Sequence, residues 1–223
     1  MHPLTRRRLR FLLGFGIYFA LLWALWGTIF VYPLQVFVVF LHEISHGVAA
    51  VATGGSIQQI TLSPQLGGAC YCPGGNAFLT LSAGYLGSLA WGGVILEAGR
   101  RWRSHSDRIV RLMGAAIILL SILYVRGLFG LSFGILFGAA LILAARWLSR
   151  QANGALLTAL GLTSCLYAVL DIKRDIIDRP HLRSDAAMLS ELTGIPTLAW
   201  GFAWIAVALA VSLWLFLRAY RSA

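Results

Sequence analysis

Five consecutive residues, His42-Glu43-Ile44-Ser45-His46, hold the densest chemistry in the chain. An α-helix turns once in about 3.6 residues, so histidines spaced i and i+4 share a face and can aim two imidazoles at one metal ion. Glu43 is rotated by one residue from His42, close enough to touch a water at the metal without ligating it. Zn2+ is the ion this pattern predicts. It acidifies water at neutral pH, and a carboxylate beside it can take the proton and later deliver it to a leaving amine. His42 and His46 are therefore read as metal ligands and Glu43 as the catalytic base. The pattern is short and arises by chance in soluble helices, but its setting here is unusual. Glu43 is the only formally charged side chain between Phe11 and Leu96. An ionisable group inside a membrane span costs about 2.5–3.5 kcal/mol on insertion scales, so three polar side chains in five positions call for a compensating partner, which a metal supplies. The small residues Gly47, Ala49, Ala50 and Ala52 let neighbouring helices approach closely.

A catalytic zinc takes three protein ligands and keeps one position open. His2 and His105 fall in terminal or loop segments, so the third ligand is expected to be a carboxylate. Asp171 directly follows the apolar run Cys165-Leu166-Tyr167-Ala168-Val169-Leu170 and is the most membrane-embedded aspartate by sequence. It is the expected third ligand. Asp175, one turn later on the same face but nearer the charged interface, is its rival. The ordinary alternative for both is solvation or pairing with Lys173, Arg174 or Arg179.

The elements that must position these residues are apolar. Of 223 residues, 59% are hydrophobic and only 12% charged, with mean hydropathy +0.79; a soluble domain carries about a quarter charged residues. Seven apolar segments, roughly 11–31, 34–53, 78–98, 109–125, 128–148, 153–172 and 198–217, approach the ~20 residues a bilayer requires. The short link at Arg126-Gly127 also permits six. The N-terminal apolar run continues without a small-residue cleavage site, so it is read as an uncleaved first span. Residues 54–76 hold Gly54-Gly55, Pro64, Gly67-Gly68 and Pro73-Gly74-Gly75 but no charge. Within them Ser56 to Leu62 and Ala69 to Cys72 could pair as a hairpin, dipping into the membrane where protein or a water cavity satisfies its backbone. The connection 173–192 is polar and reads as an interfacial segment. The expected fold is an all-α membrane protein of about six to seven transmembrane helices, with a small membrane-associated β-hairpin after the His42–His46 helix, forming one polytopic domain over 1–223.

The net charge of +10 comes from clusters at Arg6 to Arg10, Arg100 to Arg111 and Lys173 to Arg183. These sit between apolar runs, as juxtamembrane arginines facing anionic lipid headgroups do. Trp102 and Trp147 fit the interfacial aromatic belt. The lipid bilayer is thus an expected partner and nucleic acid is not. Seven spans divide the 18 basic residues evenly between the two faces, so the positive-inside rule assigns no orientation. Cys70 and Cys72 form a C-x-C rather than the C-x-x-C of redox and zinc motifs. They read as small side chains in a tight loop.

Leu41 to Gly47 with the following Gly54-Gly55 turn, Ser82 to Ser88 (SAGYLGS), Cys165 to Asp175 (CLYAVLDIKRD), Ser184-Asp185-Ala186 and Thr193-Gly194-Ile195-Pro196 together resemble the M50 peptidases. These are intramembrane zinc proteases of the site-2 protease type, and the likeness is to the M50B-like branch. The resemblance implies Zn2+, His42 and His46 as ligands, Glu43 as base, an aspartate ligand from a later span, and a hairpin beside the site that holds an unwound substrate segment. Strand addition along Ser56 to Leu62 would supply the backbone hydrogen bonds. Site-2 proteases typically carry Asp-Gly at the third ligand, where Asp171 here is followed by Ile172. The expected activity is hydrolysis of peptide bonds in membrane-embedded or juxtamembrane substrates. A membrane protein or peptide would be the substrate, a regulatory membrane protein a further partner, and a bacterial inner membrane the location. A non-proteolytic zinc membrane protein and an ion-relay transporter are the competing readings.

Overall fold

In the computed structural model, residues 3–178 and 183–221 are described; His2, Arg179 and His181 lie outside the described residues. Helices form over each of the seven apolar segments: α1 (Pro3–Ala24), α2 (Tyr32–Ala52), α3 (Ala77–Arg101), α4 (Ser106–Tyr124), α5 (Leu128–Trp147), α6 (Arg150–Lys173) and α8 (Thr197–Arg221). Among the described residues five helices are long and apolar enough to cross a membrane: α2, α3, α5, α6 with the turn that extends it, and α8. The chain is a multi-pass membrane protein. α1 contributes a shorter apolar stretch, Phe11–Ala24, and α4 carries Asp107, Arg108 and Arg111 in its first two turns.

Local signals set the helix ends. Pro33 opens α2, where its missing N–H costs nothing. The Asn76 side chain caps α3 by accepting from the Leu79 N–H at 3.1 Å. Ser149 caps α6 through the Ala152 N–H at 3.2 Å. After Lys173 the helix widens into a π-helical turn over Arg174–Asp178. A short helix, α7 (Asp185–Thr193), then begins at Ser184, whose hydroxyl accepts from the Ala187 N–H at 3.3 Å, and ends at Gly194 with φ of 73°. The segment read as an interfacial connection thus contains a helix of its own.

The hairpin is present as β1 (Gln59–Ser63) and β2 (Gly67–Tyr71), antiparallel with Ile60 opposite Cys70. A third strand was not expected. Val125–Arg126, the link between α4 and α5, forms β3 and pairs parallel with β1, Ile60 opposite Val125. Extended backbone at that position needs hydrogen-bond partners, and β1 provides them. The sheet order is β2-β1-β3, which leaves β1 central. A second difference concerns Cys70 and Cys72, which are joined as a disulfide rather than standing as separate small side chains.

Two apolar clusters hold the elements together. One gathers Phe37 and Phe40 of α2 with Ile60, Val125 and Leu157, fixing the sheet against the motif helix. The other gathers Tyr85, Ile172, Leu189 and Trp204, clamping α7 between α3, α6 and α8. α3 and α6 approach through glycines: a Cβ at Gly161 would lie 2.5 Å from the Leu96 backbone nitrogen, and one at Gly99 would lie 2.9 Å from the Gly154 oxygen. This close seam sets the level of the end of α6 relative to α3, and so the place where α7 returns.

Candidate metal centre

α2 is buried over most of its length, and His42, Glu43 and His46 all lie inside it. Their i, i+4 spacing works as the helix geometry requires: the two imidazoles stand 4.7 Å apart, edge to face. Both present Nε2 to one carboxylate oxygen, Asp185 Oδ2, at 3.0 Å from His42 and 3.3 Å from His46. The three ligand atoms lie within 4.8 Å of one another and all three residues are buried. Two imidazole nitrogens and one carboxylate oxygen make a donor set suited to catalytic zinc, so the residues present fit the ion. Gly84 leaves the room. A Cβ there would run into His42 Nε2 and stand 2.6 Å from His46 Cε1.

Among the described residues it is Asp185, rather than the expected Asp171, that groups with the two imidazoles as a set that could hold a metal. Asp171 stands on the other edge of the His42 ring, its Oδ2 3.8 Å from Nδ1, and Nδ1 has no hydrogen-bond partner. Asp175 is further removed; it accepts a 2.7 Å hydrogen bond from the Tyr85 hydroxyl, whose ring packs edge-on against His42 at 4.8 Å. The expectation for Asp171 rested on membrane depth inferred from apolar neighbours in sequence. Asp185 has no such neighbours on its N-terminal side. Its burial is made by α7 folding back onto α3. The usable signal was Ser184-Asp185, an N-cap followed by an acidic first turn, which marks a helix start.

The outer contacts orient the ring nitrogens. His46 Nδ1 donates to the Thr80 carbonyl oxygen at 2.7 Å, which leaves Nε2 free to ligate, as backbone carbonyls commonly do for metal-bound histidines. Burial would by itself raise the Asp185 carboxyl, but the imidazoles of His46 and His42 outweigh it and hold the group well below the usual carboxylate range. The carboxylate is thus held in the anionic form in which it can ligate.

Glu43 packs against β2 and lines the same cavity as the ligand cluster. Gly68 of β2 gives its carboxylate space, since a Cβ there would lie 2.5 Å from Oε1. A cavity of about 630 Å³ opens over these groups, walled by α2 on one side, β2 on another, and Asp171 and Asp185 across from them. β2 is at the edge of the sheet, whereas β1 is paired on both sides. Strand addition along Ser56 to Leu62 is thus displaced: the free edge beside the site belongs to β2.

A family model described as Peptidase M50B-like matches residues 15–215. No curated protein and no solved structure matches the chain.

Proposed function

The chain belongs to the Peptidase M50B-like family, and from that membership and the site geometry we propose that it is a zinc-dependent intramembrane endopeptidase of the site-2 protease type. The observation that carries the reading is the convergence of His42 Nε2, His46 Nε2 and Asp185 Oδ2 in a cavity that Glu43 also lines. These three residues would hold Zn2+, which supplies Lewis-acid polarisation of a peptide carbonyl and of the attacking water. Glu43 takes the proton of that water and returns it to the leaving amide nitrogen. Gly68 keeps β2 close to the Glu43 carboxylate without displacing it. Thr80 fixes the His46 ring. Asp171 acts on the far side of His42, where its carboxylate can accept from Nδ1–H and keep Nε2 free.

A substrate segment would lie extended along the outer edge of β2, gaining main-chain hydrogen bonds while its scissile carbonyl faces the metal ligands. Substrates are accordingly peptide segments within or next to the bilayer. The test is cleavage of a membrane peptide by purified protein in liposomes, wild type against Glu43→Gln. The variant is expected to keep zinc and lose turnover by about 10²–10⁴-fold, the usual worth of a general base. Undiminished cleavage by the variant would remove Glu43 from the mechanism. Stoichiometric zinc with no cleavage by the wild type would favour a non-proteolytic zinc protein.

A further inference from the structure

Cys70 and Cys72 have no part in the hydrolytic scheme, yet they sit in its wall. Both are half-buried and both line the cavity that contains Glu43 and the metal-binding residues. Residues i and i+2 of an extended chain project to the same side, so the C-x-C spacing brings the two sulfurs together. Their Cα atoms are 5.5 Å apart, within the range a disulfide spans, and the two are bonded. The third cysteine, Cys165, is buried in α6 with its thiol toward the Leu89 carbonyl. It lies in the other apolar cluster and does not compete.

We propose that Cys70 and Cys72 are a reversible dithiol–disulfide pair, a redox modification site in the wall of the cleft that exchanges with small-molecule thiols and disulfides. Closure begins when one thiolate attacks a soluble disulfide RS–SR, forming a mixed disulfide and releasing RS⁻. The second thiolate then attacks the protein-side sulfur of that bond, forming Cys70–Cys72 and releasing a second RS⁻. The pair loses two electrons, the reagent gains them, and the two thiol protons go to the two released thiolates. Opening by a soluble dithiol is the reverse.

The bond sits where the chain has something to lose. Cys70 lines the cavity beside Glu43, two residues from Gly68, against which the Glu43 side chain packs. The Tyr71 carbonyl accepts from the Gln58 N–H at 3.0 Å, and the Pro73 carbonyl accepts from the Ser56 N–H at 3.0 Å. A cross-link from residue 70 to residue 72 therefore braces the exit of β2 across the backbone bonds that hold the strand beside the site. Opening it releases that brace, and residues 67–75 become the segment that loosens. The consequence for hydrolysis rests on the peptidase reading; the exchange itself does not.

The test uses the full chain in liposomes, equilibrated over a series of reduced to oxidised dithiothreitol ratios, quenched in acid, alkylated and read by peptide mass. The peptide holding residues 70 and 72 is expected to pass from two alkyl groups to none in one reversible two-electron transition, with Cys165 unchanged. Amide hydrogen exchange over 67–75 is expected to run at least several-fold faster in the reduced form. Cys70→Ser/Cys72→Ser should show the fast rate at every ratio. Full alkylation, or none, across the whole series would overturn the proposal, as would exchange over 67–75 that is equal in both forms. A clean transition in protein that binds no zinc and cleaves nothing would leave the pair standing and sink the peptidase reading instead.

Discussion

The His42 imidazole stands between two aspartates, with Asp185 at Nε2 and Asp171 at Nδ1. Edge, rather than proximity, separates a ligand from an orienting residue. Truncating each should therefore give different results. Asp171→Ala is expected to retain one zinc with affinity weakened about 10–100-fold, as for other partners that orient metal-bound histidines; competition with a calibrated chelator measures it. Unchanged affinity would leave Asp171 without a role at the metal. At this scale His42, Glu43 and His46 were legible in the sequence because their geometry is local: one helix turn fixes it. Asp185 was not, because it reaches His42 across 143 residues of chain. Its neighbours suggest a surface, and only tertiary folding makes its site an interior.

The elements that carry the ligand and clear its space are α7 and α3. α7 has nine residues, too few to be stable alone, so its cap and its apolar contacts through Ala186 and Leu189 hold Asp185 in place. Ser184→Ala removes the cap at a cost of about 1 kcal/mol, and about a five-fold loss of zinc affinity is expected if α7 must be formed to ligate. An unaltered affinity would show that α7 is held by packing alone. On α3, Gly84→Ala drives a methyl into the imidazole pair. Overpacking of about 1–3 kcal/mol should weaken zinc about 5–150-fold, with helix content by circular dichroism unchanged. The seven helices were readable from apolar runs of membrane length. β3 was not, since a two-residue strand has no periodicity and exists only because β1 offers it a partner. The same pairing takes one side of β1 at Ile60 and Thr61 and leaves β2 at the sheet edge beside the cleft.

Across the whole molecule, the candidate metal centre lies within the bundle: among the described residues α2 is the most buried span, and α3, α6 and α7 close around the His42, His46 and Asp185 side chains. The sheet beside it offers backbone donors and acceptors to an extended peptide, and a helical substrate has none free. On the proposed endopeptidase reading, a substrate span would have to unwind locally to be cut. Placing Gly-Pro near the scissile bond of a model transmembrane peptide, where it breaks the helix, is expected to raise kcat/KM at least several-fold in liposomes. Equal or slower cleavage would argue against the extended pose. Composition marks the polar connection as interfacial, whereas Asp185 within it is buried against His42; composition registers charge, and a buried carboxylate looks the same as a solvated one.

The proposed function stands on a zinc that His42, His46 and Asp185 would hold. Elemental analysis of purified wild type beside Asp185→Ala tests it most directly. About one zinc per chain is expected in the wild type, as for a single closed set of ligands, and well under a tenth of that in the variant after dialysis against a weak chelator. Wild-type protein without zinc, or Asp185→Ala retaining it in full, would contradict the account.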